Sequence, residues 1–92
     1  MQTKLTEELS QRKKKIHFRC WHRGTREMDL ILGQFADQNL SLASDDHIAF
    51  FETLLSYSDT EIYHWITKKN QDIPNELKHP LFYQLIEQAG NQ

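Results

Sequence analysis

Residues that cross-link chains or break helices are scarce in this sequence of 92 residues, which has one cysteine, two prolines and three glycines. The single cysteine, Cys20, can form neither an internal disulfide nor a four-cysteine zinc site, which is consistent with a reducing compartment. So few glycines and prolines leave little material for the turns of an all-β fold. The longest apolar run, residues 48–51, has four residues, against roughly 20 in a transmembrane helix. We therefore expect no membrane insertion.

Charge is unevenly distributed along the chain, although the formal net charge is only −2. Residues 1–26 carry eight Lys or Arg and two acidic residues, whereas residues 27–92 carry three and eleven. Such a basic end favours an acidic partner surface or nucleic acid. The N-terminal segment has no apolar stretch like that of a secretory signal, and Glu7 and Glu8 are unlike an acid-poor transit peptide. We therefore expect an unprocessed, bacterial cytoplasmic protein.

Hydrophobic periodicity predicts helices from the N-terminal end onward. The first helix is predicted from about Thr6 to Trp21 or His22, because side chains that can face a core recur there at every third or fourth position. Gly24 can adopt a left-handed conformation just after a helix end. Thr25 can then accept a backbone hydrogen bond at the start of a second helix. The two helices should therefore meet at a tight corner.

The next two helices show clearer signals. The second should end near Gln38–Asn39, and its apolar positions have the spacing of one helix face: Met28, Ile31, Leu32 and Phe35. Ser44 followed by Asp45 and Asp46 predicts the start of a third helix, because a hydroxyl cap and two carboxylates suit the positive end of the helix dipole. This helix should bury Ile48, Phe51 and Leu55.

A fourth and a fifth helix complete the prediction. Residues 58–61 read Ser-Asp-Thr-Glu, the pattern of a capping box, and predict a helix over about 59–69 with Lys68 and Lys69 in its last turn. Pro80 suits the first turn of the last helix, which should end near Ala89. The sequence thus predicts an all-α fold, a compact single-domain bundle of five short helices. Residues 1–12 form an N-terminal extension and the start of the first helix, and 13–90 the five-helix domain.

Few residues have the spacing of a chemical site. His17, Cys20 and His22 are close in sequence, but on one helix the third side chain points away from the other two, so we expect no metal site. The sequence contains no HExxH motif and no glycine-rich phosphate loop. We therefore expect no catalytic residue and no enzymatic activity.

The predicted corner has a sequence that is informative only in a wider context. It reads Arg-Gly-Thr-Arg-Glu over residues 23–27, followed by Met28 and Asp29. Taken alone, the glycine is a helix stop, Arg23 a cation near a helix C-terminus and Glu27 an acid in a first turn. Further along are Ser44-Asp45-Asp46, before a helix rich in Phe and Leu, and the segment Tyr-His-Trp-Ile over 63–66.

Together these segments resemble the SdhE family of FAD assembly factors for succinate dehydrogenase. The family signature is an RGxxE motif, which is present here as Arg23, Gly24 and Glu27, and the resemblance covers about residues 13–88. It implies a five-helix fold and a protein without enzymatic activity. It also implies that the chain binds the flavoprotein subunit of succinate dehydrogenase, and in some bacteria that of fumarate reductase. There it would promote covalent attachment of FAD to a histidine of the subunit.

The resemblance also implies which residues contact this client subunit. Arg23, Gly24 and Glu27 would form the contact surface, with Trp21, Arg26 and Asp29 beside them. No dinucleotide-binding fingerprint is present, so we expect no cofactor bound by the chain itself and assign the FAD to the client.

An alternative hypothesis uses the basic first helix. Residues 12–19 could serve a small nucleic-acid-binding protein or an antitoxin-like regulatory protein. The isoelectric point near 6.2 and the acidic residues Glu27, Asp29 and Asp37 on the second helix argue against DNA or RNA binding. We therefore expect no nucleic acid partner.

Overall fold

The computed structural model describes residues 2–68 and 72–90, with side chains from residue 7 onward. Five α-helices and one short 3₁₀ turn follow one another without a strand in these residues. They are α1 (Gln2–Trp21), α2 (Arg26–Asn39), α3 (Asp45–Leu54), α4 (Asp59–Thr67), the 3₁₀ turn (Asn75–Leu77) and α5 (Pro80–Gly90). This architecture confirms the predicted all-α bundle of five helices.

The helix starts are fixed by the side chains that the sequence predicts. Thr25 and Ser44 each accept the backbone N–H of the third residue that follows, at 3.2 and 3.3 Å. Ser58 and Glu61 form the reciprocal capping box, with 3.2 Å for both hydrogen bonds between one residue's backbone N–H and the other's side chain. Each cap satisfies donors that the first turn of a helix leaves free. The starts of α2, α3 and α4 are therefore confirmed.

Helix ends differ from the prediction in two places. α1 begins at Gln2 rather than near Thr6, because a threonine with helix-forming neighbours on both sides does not have to act as a cap. α4 ends at Thr67, and Lys68 is its C-cap. Lys69, which the prediction assigned to the last turn, lies outside the described residues.

The 3₁₀ turn Asn75–Leu77 is a feature that the sequence did not predict. It follows Pro74 and brings Leu77 into the core, where that side chain is fully buried. Two other apolar residues flank it at Ile73 and Leu81. Pro74 and Pro80 interrupt this segment and leave it too short for a recognisable periodic pattern, and so the turn has no signal of its own.

The core is one cluster to which all five helices and the 3₁₀ turn contribute. The phenyl rings of Phe35 on α2 and Phe51 on α3 have centroids 5.5 Å apart, and Phe50 packs against Phe82 of α5 at 6.4 Å. The largest side chains that are fully buried are Ile16, Leu32, Phe35, Ile48, Phe51, Leu54, Ile62, Leu77, Phe82 and Leu85. Because this core occupies the centre of the bundle, the corner between α1 and α2 lies at its surface.

Candidate functional site

Gly24 gives the corner between α1 and α2 its shape. Its φ of +124° is the only positive value at a glycine in the described residues, and a residue with a Cβ adopts this conformation only under strain. An added Cβ would have Asp59 Oδ2 as its nearest neighbour, at 3.8 Å, which is ordinary van der Waals contact. Glycine is therefore required by the backbone and not by crowding, as the sequence predicts.

Arg23 ties this corner to the start of α4. Its Nε donates to Asp59 Oδ1 at 2.7 Å and its Nη2 donates to the carbonyl oxygen of Tyr57 at 3.3 Å. The side chains of Arg23 and Asp59 are only 11% and 24% exposed. In addition, the backbone N–H of Arg23 donates to Asp29 Oδ1 at 2.5 Å. Arg23 and Asp29 are thus held within the molecule and contribute to the structure of the corner.

Glu27 lies on the exposed first turn of α2 and pairs with a tyrosine of α4. The Tyr63 hydroxyl donates to Glu27 Oε1 at 2.9 Å, and both side chains remain exposed. This hydrogen bond to a carboxylate raises the pKa of Tyr63, because the bond stabilises the protonated phenol. The pair links residues that are 36 positions apart in sequence.

A pocket of about 300 Å³ lies where the first turns of α2 and α4 meet. Glu27 and Asp59 supply carboxylates to it, and hydroxyls and one thioether complete the wall. The full lining is Thr25, Glu27, Met28, Asp59, Thr60 and Tyr63. The structure therefore brings Glu27 and the Asp59 partner of Arg23 together beside Gly24.

Two predicted site residues lie apart from this pocket. The indole of Trp21 covers Gly33 of α2 and donates from Nε1 to Asp37 Oδ1 at 3.3 Å. It lines a larger groove of about 760 Å³ between α1 and α2. Arg26 is exposed and makes no hydrogen bond or ion pair with any residue that the structure describes. Trp21 thus packs two helices together, and the Arg26 side chain, within the motif, has no partner among the described residues.

Sequence reasoning missed three members of the pocket. Asp59 and Thr60 were read only as part of a capping box, and Tyr63 only as part of an aromatic segment. The capping box could have shown that these residues lie in the first turns of α4, but no local pattern places α4 against the corner. Their contacts with Arg23 and Glu27 require the tertiary fold.

Three of the five Lys and Arg residues of α1 whose side chains the structure describes make contacts within the chain. Arg12 makes two hydrogen bonds to Glu52, at 2.6 and 3.1 Å. Lys13 Nζ and Arg19 Nη2 donate to the carbonyl oxygens of Ser41 and Leu55, at 2.9 and 2.8 Å. The Arg12–Glu52 ion pair offsets one positive charge of α1, and Lys13 and Arg19 keep their charge but already use donors that a polyanion would need. The geometry does not favour the nucleic-acid hypothesis.

The three residues that the sequence analysis considered for a metal site lie in different surroundings. They are His17, Cys20 and His22. Cys20 is buried in the core, and burial raises the pKa of its thiol to about 12. His17 Nε2 is 2.7 Å from Asp37 Oδ1, and His22 Nδ1 is 2.7 Å from the carbonyl oxygen of Phe18. The three side chains therefore do not share one centre.

The structure also brings together a second group of possible metal ligands, Asp46, His47 and His79, which the sequence did not suggest. Their ligand atoms lie within 4.8 Å of one another. His79 Nδ1 accepts the backbone N–H of Leu81 at 3.0 Å, and Nε2 is 2.8 Å from Asp46 Oδ2. The neutral ring therefore carries its proton on Nε2, the nitrogen that would have to bind a metal. The bond to His79 holds the pKa of Asp46 below its ordinary value. His79 is thus explained as a side-chain acceptor at the start of α5, with its ring held by Asp46.

None of the helices in the described residues combines the length and the apolar character that crossing a membrane requires.

The family model described as "flavinator of succinate dehydrogenase" matches residues 14–89. This range includes the whole corner, the pocket and all of α2 to α4. The chain belongs to this family. The resemblance that the RGxxE motif suggests is thereby confirmed.

Individual proteins similar to this chain are named as assembly factors of FAD or of succinate dehydrogenase. The chain is 26% identical over 83 residues to "FAD assembly factor SdhE" of Acetobacter pasteurianus, covering 90% of this chain and 75% of that protein. It is 32% and 34% identical, over 71 residues each, to "succinate dehydrogenase assembly factor 2, mitochondrial" of Dictyostelium discoideum and of Penicillium rubens. These alignments cover 77% of this chain but only 50% and 22% of the two mitochondrial proteins. No solved structure matches the chain significantly.

Proposed function

We propose that this chain is an assembly factor that binds the flavoprotein subunit of succinate dehydrogenase and promotes covalent attachment of FAD to that subunit. Membership of the flavinator family supports this function. The observation that carries it in the structure is the corner itself, where Gly24 at φ +124° stands beside the exposed Glu27. A corner without a side chain at position 24 allows a partner's backbone to approach closely.

The chain acts in this proposal by orientation and not by supplying reactive groups. It would hold the client's flavin domain in a conformation that places the target histidine against the flavin methyl group. The FAD belongs to the client. The pocket of about 300 Å³ is at the lower limit of sites for drug-sized molecules, and the sequence has no dinucleotide-binding fingerprint.

Flavin transfer to the client tests the function directly. The succinate dehydrogenase flavoprotein subunit of the source organism is expressed with and without this chain, and covalently bound flavin is measured by fluorescence in a denaturing gel. We expect a signal that depends on the chain. Equal signals with and without the chain would contradict the proposal.

A pair of glycine variants connects the function to the corner. Gly24→Arg should abolish the signal, because the side chain strains the backbone and obstructs the partner. Gly90→Arg is the matched control, since an added Cβ at the end of α5 meets nothing within 4 Å, and it should keep the signal. Circular dichroism of both variants shows whether they fold. If Gly24→Arg folds and supports flavin attachment as the unchanged chain does, the corner is not the contact surface.

The flavoprotein subunit of fumarate reductase, the second client implied by the resemblance, stays a prediction. The same gel assay with that subunit tests it.

A further inference from the structure

Two of the side-chain donors beside the corner pocket are already engaged. The Tyr63 hydroxyl donates to Glu27, and the Arg23 guanidinium donates to Asp59 Oδ1 and to a backbone carbonyl. Thr25 Oγ1 accepts the N–H that begins α2. A ligand in this pocket therefore meets the carboxylates of Glu27 and Asp59, beside two threonine hydroxyls that can donate or accept.

Free acceptor capacity is concentrated on the two carboxylates. A carboxylate has about four lone-pair sites, and Glu27 uses one of them for Tyr63. Asp59 uses Oδ1 for Arg23, while its Oδ2 faces the side of Gly24 that has no side chain, 3.8 Å from where a Cβ would stand. Arg23 compensates one of the two negative charges, and Glu27 has no cation among the residues that the structure describes.

We propose that this pocket receives a basic side chain, Arg or Lys, of the client flavoprotein subunit, which donates hydrogen bonds to Glu27 and Asp59, and that Tyr63 positions Glu27 for this contact. The proposal rests on the proposed function, because it specifies what the client presents to the corner. It also gives Gly24 a second role, since a side chain there would stand over Asp59 Oδ2.

The size of the pocket supports a single side chain as the occupant. About 300 Å³ is small for a cofactor, and the pocket opens to solvent between two first turns. Because Glu27 is exposed in the free chain, its carboxylate stays hydrated until the client covers it. Covering it without a cation would leave a buried charge unpaired, which is costly. A cation supplied by the client would pair with this charge as the client covers it.

Binding of the purified client subunit to the full chain tests the proposal. Glu27→Gln keeps the size of the side chain and removes its charge, and Tyr63→Phe removes only the hydroxyl. The matched controls are Glu87→Gln and Tyr83→Phe, two exposed residues of α5 outside the pocket. The dissociation constant of each variant is measured by titration calorimetry at about 50 and about 300 mM NaCl, a range over which charge pairs are progressively screened.

We expect Glu27→Gln to weaken client binding by about 10- to 100-fold, as for a hydrogen bond between charged groups, and Tyr63→Phe by about 3- to 10-fold. The loss in Glu27→Gln should be accompanied by a weaker dependence of binding on salt. Both controls should bind as the unchanged chain does. Thermal unfolding should change little in all four variants, because an exposed first-turn acid contributes only about 0.3–1 kcal/mol, and this separates positioning from a structural role.

A charge reversal identifies the client residue. Glu27→Lys should abolish binding, and replacement of one Arg or Lys of the client by Glu should restore it. If Glu27→Gln binds the client as tightly as the unchanged chain and with the same salt dependence, the proposal that a basic client side chain enters the pocket is wrong. The proposed assembly function would still stand. If Tyr63→Phe alone has no effect, Tyr63 does not position Glu27. If the unchanged chain does not bind the client at all, the proposed function itself is wrong.

Discussion

Replacing Gly33 with alanine tests how Trp21 packs between α1 and α2. Gly33 is buried in α2, and an added Cβ would overlap the six-membered ring of the Trp21 indole. The indole would have to turn away from α2 and lose its hydrogen bond to Asp37. Inserting a methyl group into a packed site costs roughly 1–3 kcal/mol. The substitution therefore disturbs the contact between the Trp21 indole and α2 at a defined point.

Two effects of opposite sign decide the result. Alanine in a helix interior is more favourable than glycine by about 0.8–1 kcal/mol, which is less than the central cost of displacing the indole. We expect Gly33→Ala to lower the free energy of unfolding by about 1 kcal/mol, and so to lower Tm by roughly 4–8 °C. In a Trp21→Ala background the ring is absent, and the same substitution should raise the free energy of unfolding by up to about 1 kcal/mol.

Urea unfolding of the four proteins of this cycle provides the measurement. Far-UV circular dichroism is the appropriate signal, because Trp21→Ala also removes a fluorophore. Gly90→Ala serves as a control without neighbours. The reasoning is refuted if Gly33→Ala stabilises the unchanged chain as much as it stabilises the Trp21→Ala variant, because the indole would then not lie on Gly33.

Three further predictions follow from individual contacts. Arg23→Ala should lower the free energy of unfolding by about 1–3 kcal/mol, since it removes charged hydrogen bonds to a partly buried Asp59, and a Tm equal to that of the unchanged chain would contradict this. Cys20 should resist alkylation at pH 8 in the folded protein and react on unfolding, because burial raises the pKa of its thiol to about 12; rapid labelling in native buffer would show that it is accessible. Arg12 holds the pKa of Glu52 below its ordinary value, so the stability from this pair is present above that value and is lost as the pH falls through the lowered pKa. Tm measured from neutral to acidic pH should therefore fall less steeply in Glu52→Gln than in the unchanged chain, and parallel curves would argue against the pair.

The sequence predicts those parts of the fold that depend on local signals. Thr25, Ser44 and Ser58 mark helix starts because each cap and the backbone N–H that donates to it lie within one turn. Gly24 marks the corner because a positive φ is a property of a single residue. These features require no knowledge of which helices pack together.

The parts that the sequence did not predict depend on pairs that are far apart in the chain. Asp59 meets Arg23 and Tyr63 meets Glu27 across 36 positions each, and neither pair has a spacing that a periodic pattern could show. The 3₁₀ turn was missed for a related reason, because Leu77 is buried by its neighbours in space and not by a helical period.

The residues of the RGxxE motif differ in what their substitution can reveal. Arg23 is mostly buried and holds the corner to α4, so a variant there changes stability and any contact with the client together. A variant at Gly24 also changes stability, since any residue other than glycine would be strained at this positive φ. The Glu27 side chain is exposed and forms a hydrogen bond only with Tyr63 among the described residues, and its substitution removes a charge without disturbing the core. A loss of flavin attachment in Glu27→Gln at unchanged Tm would therefore report on the client contact alone, and this makes it the residue on which the assignment of the surface depends.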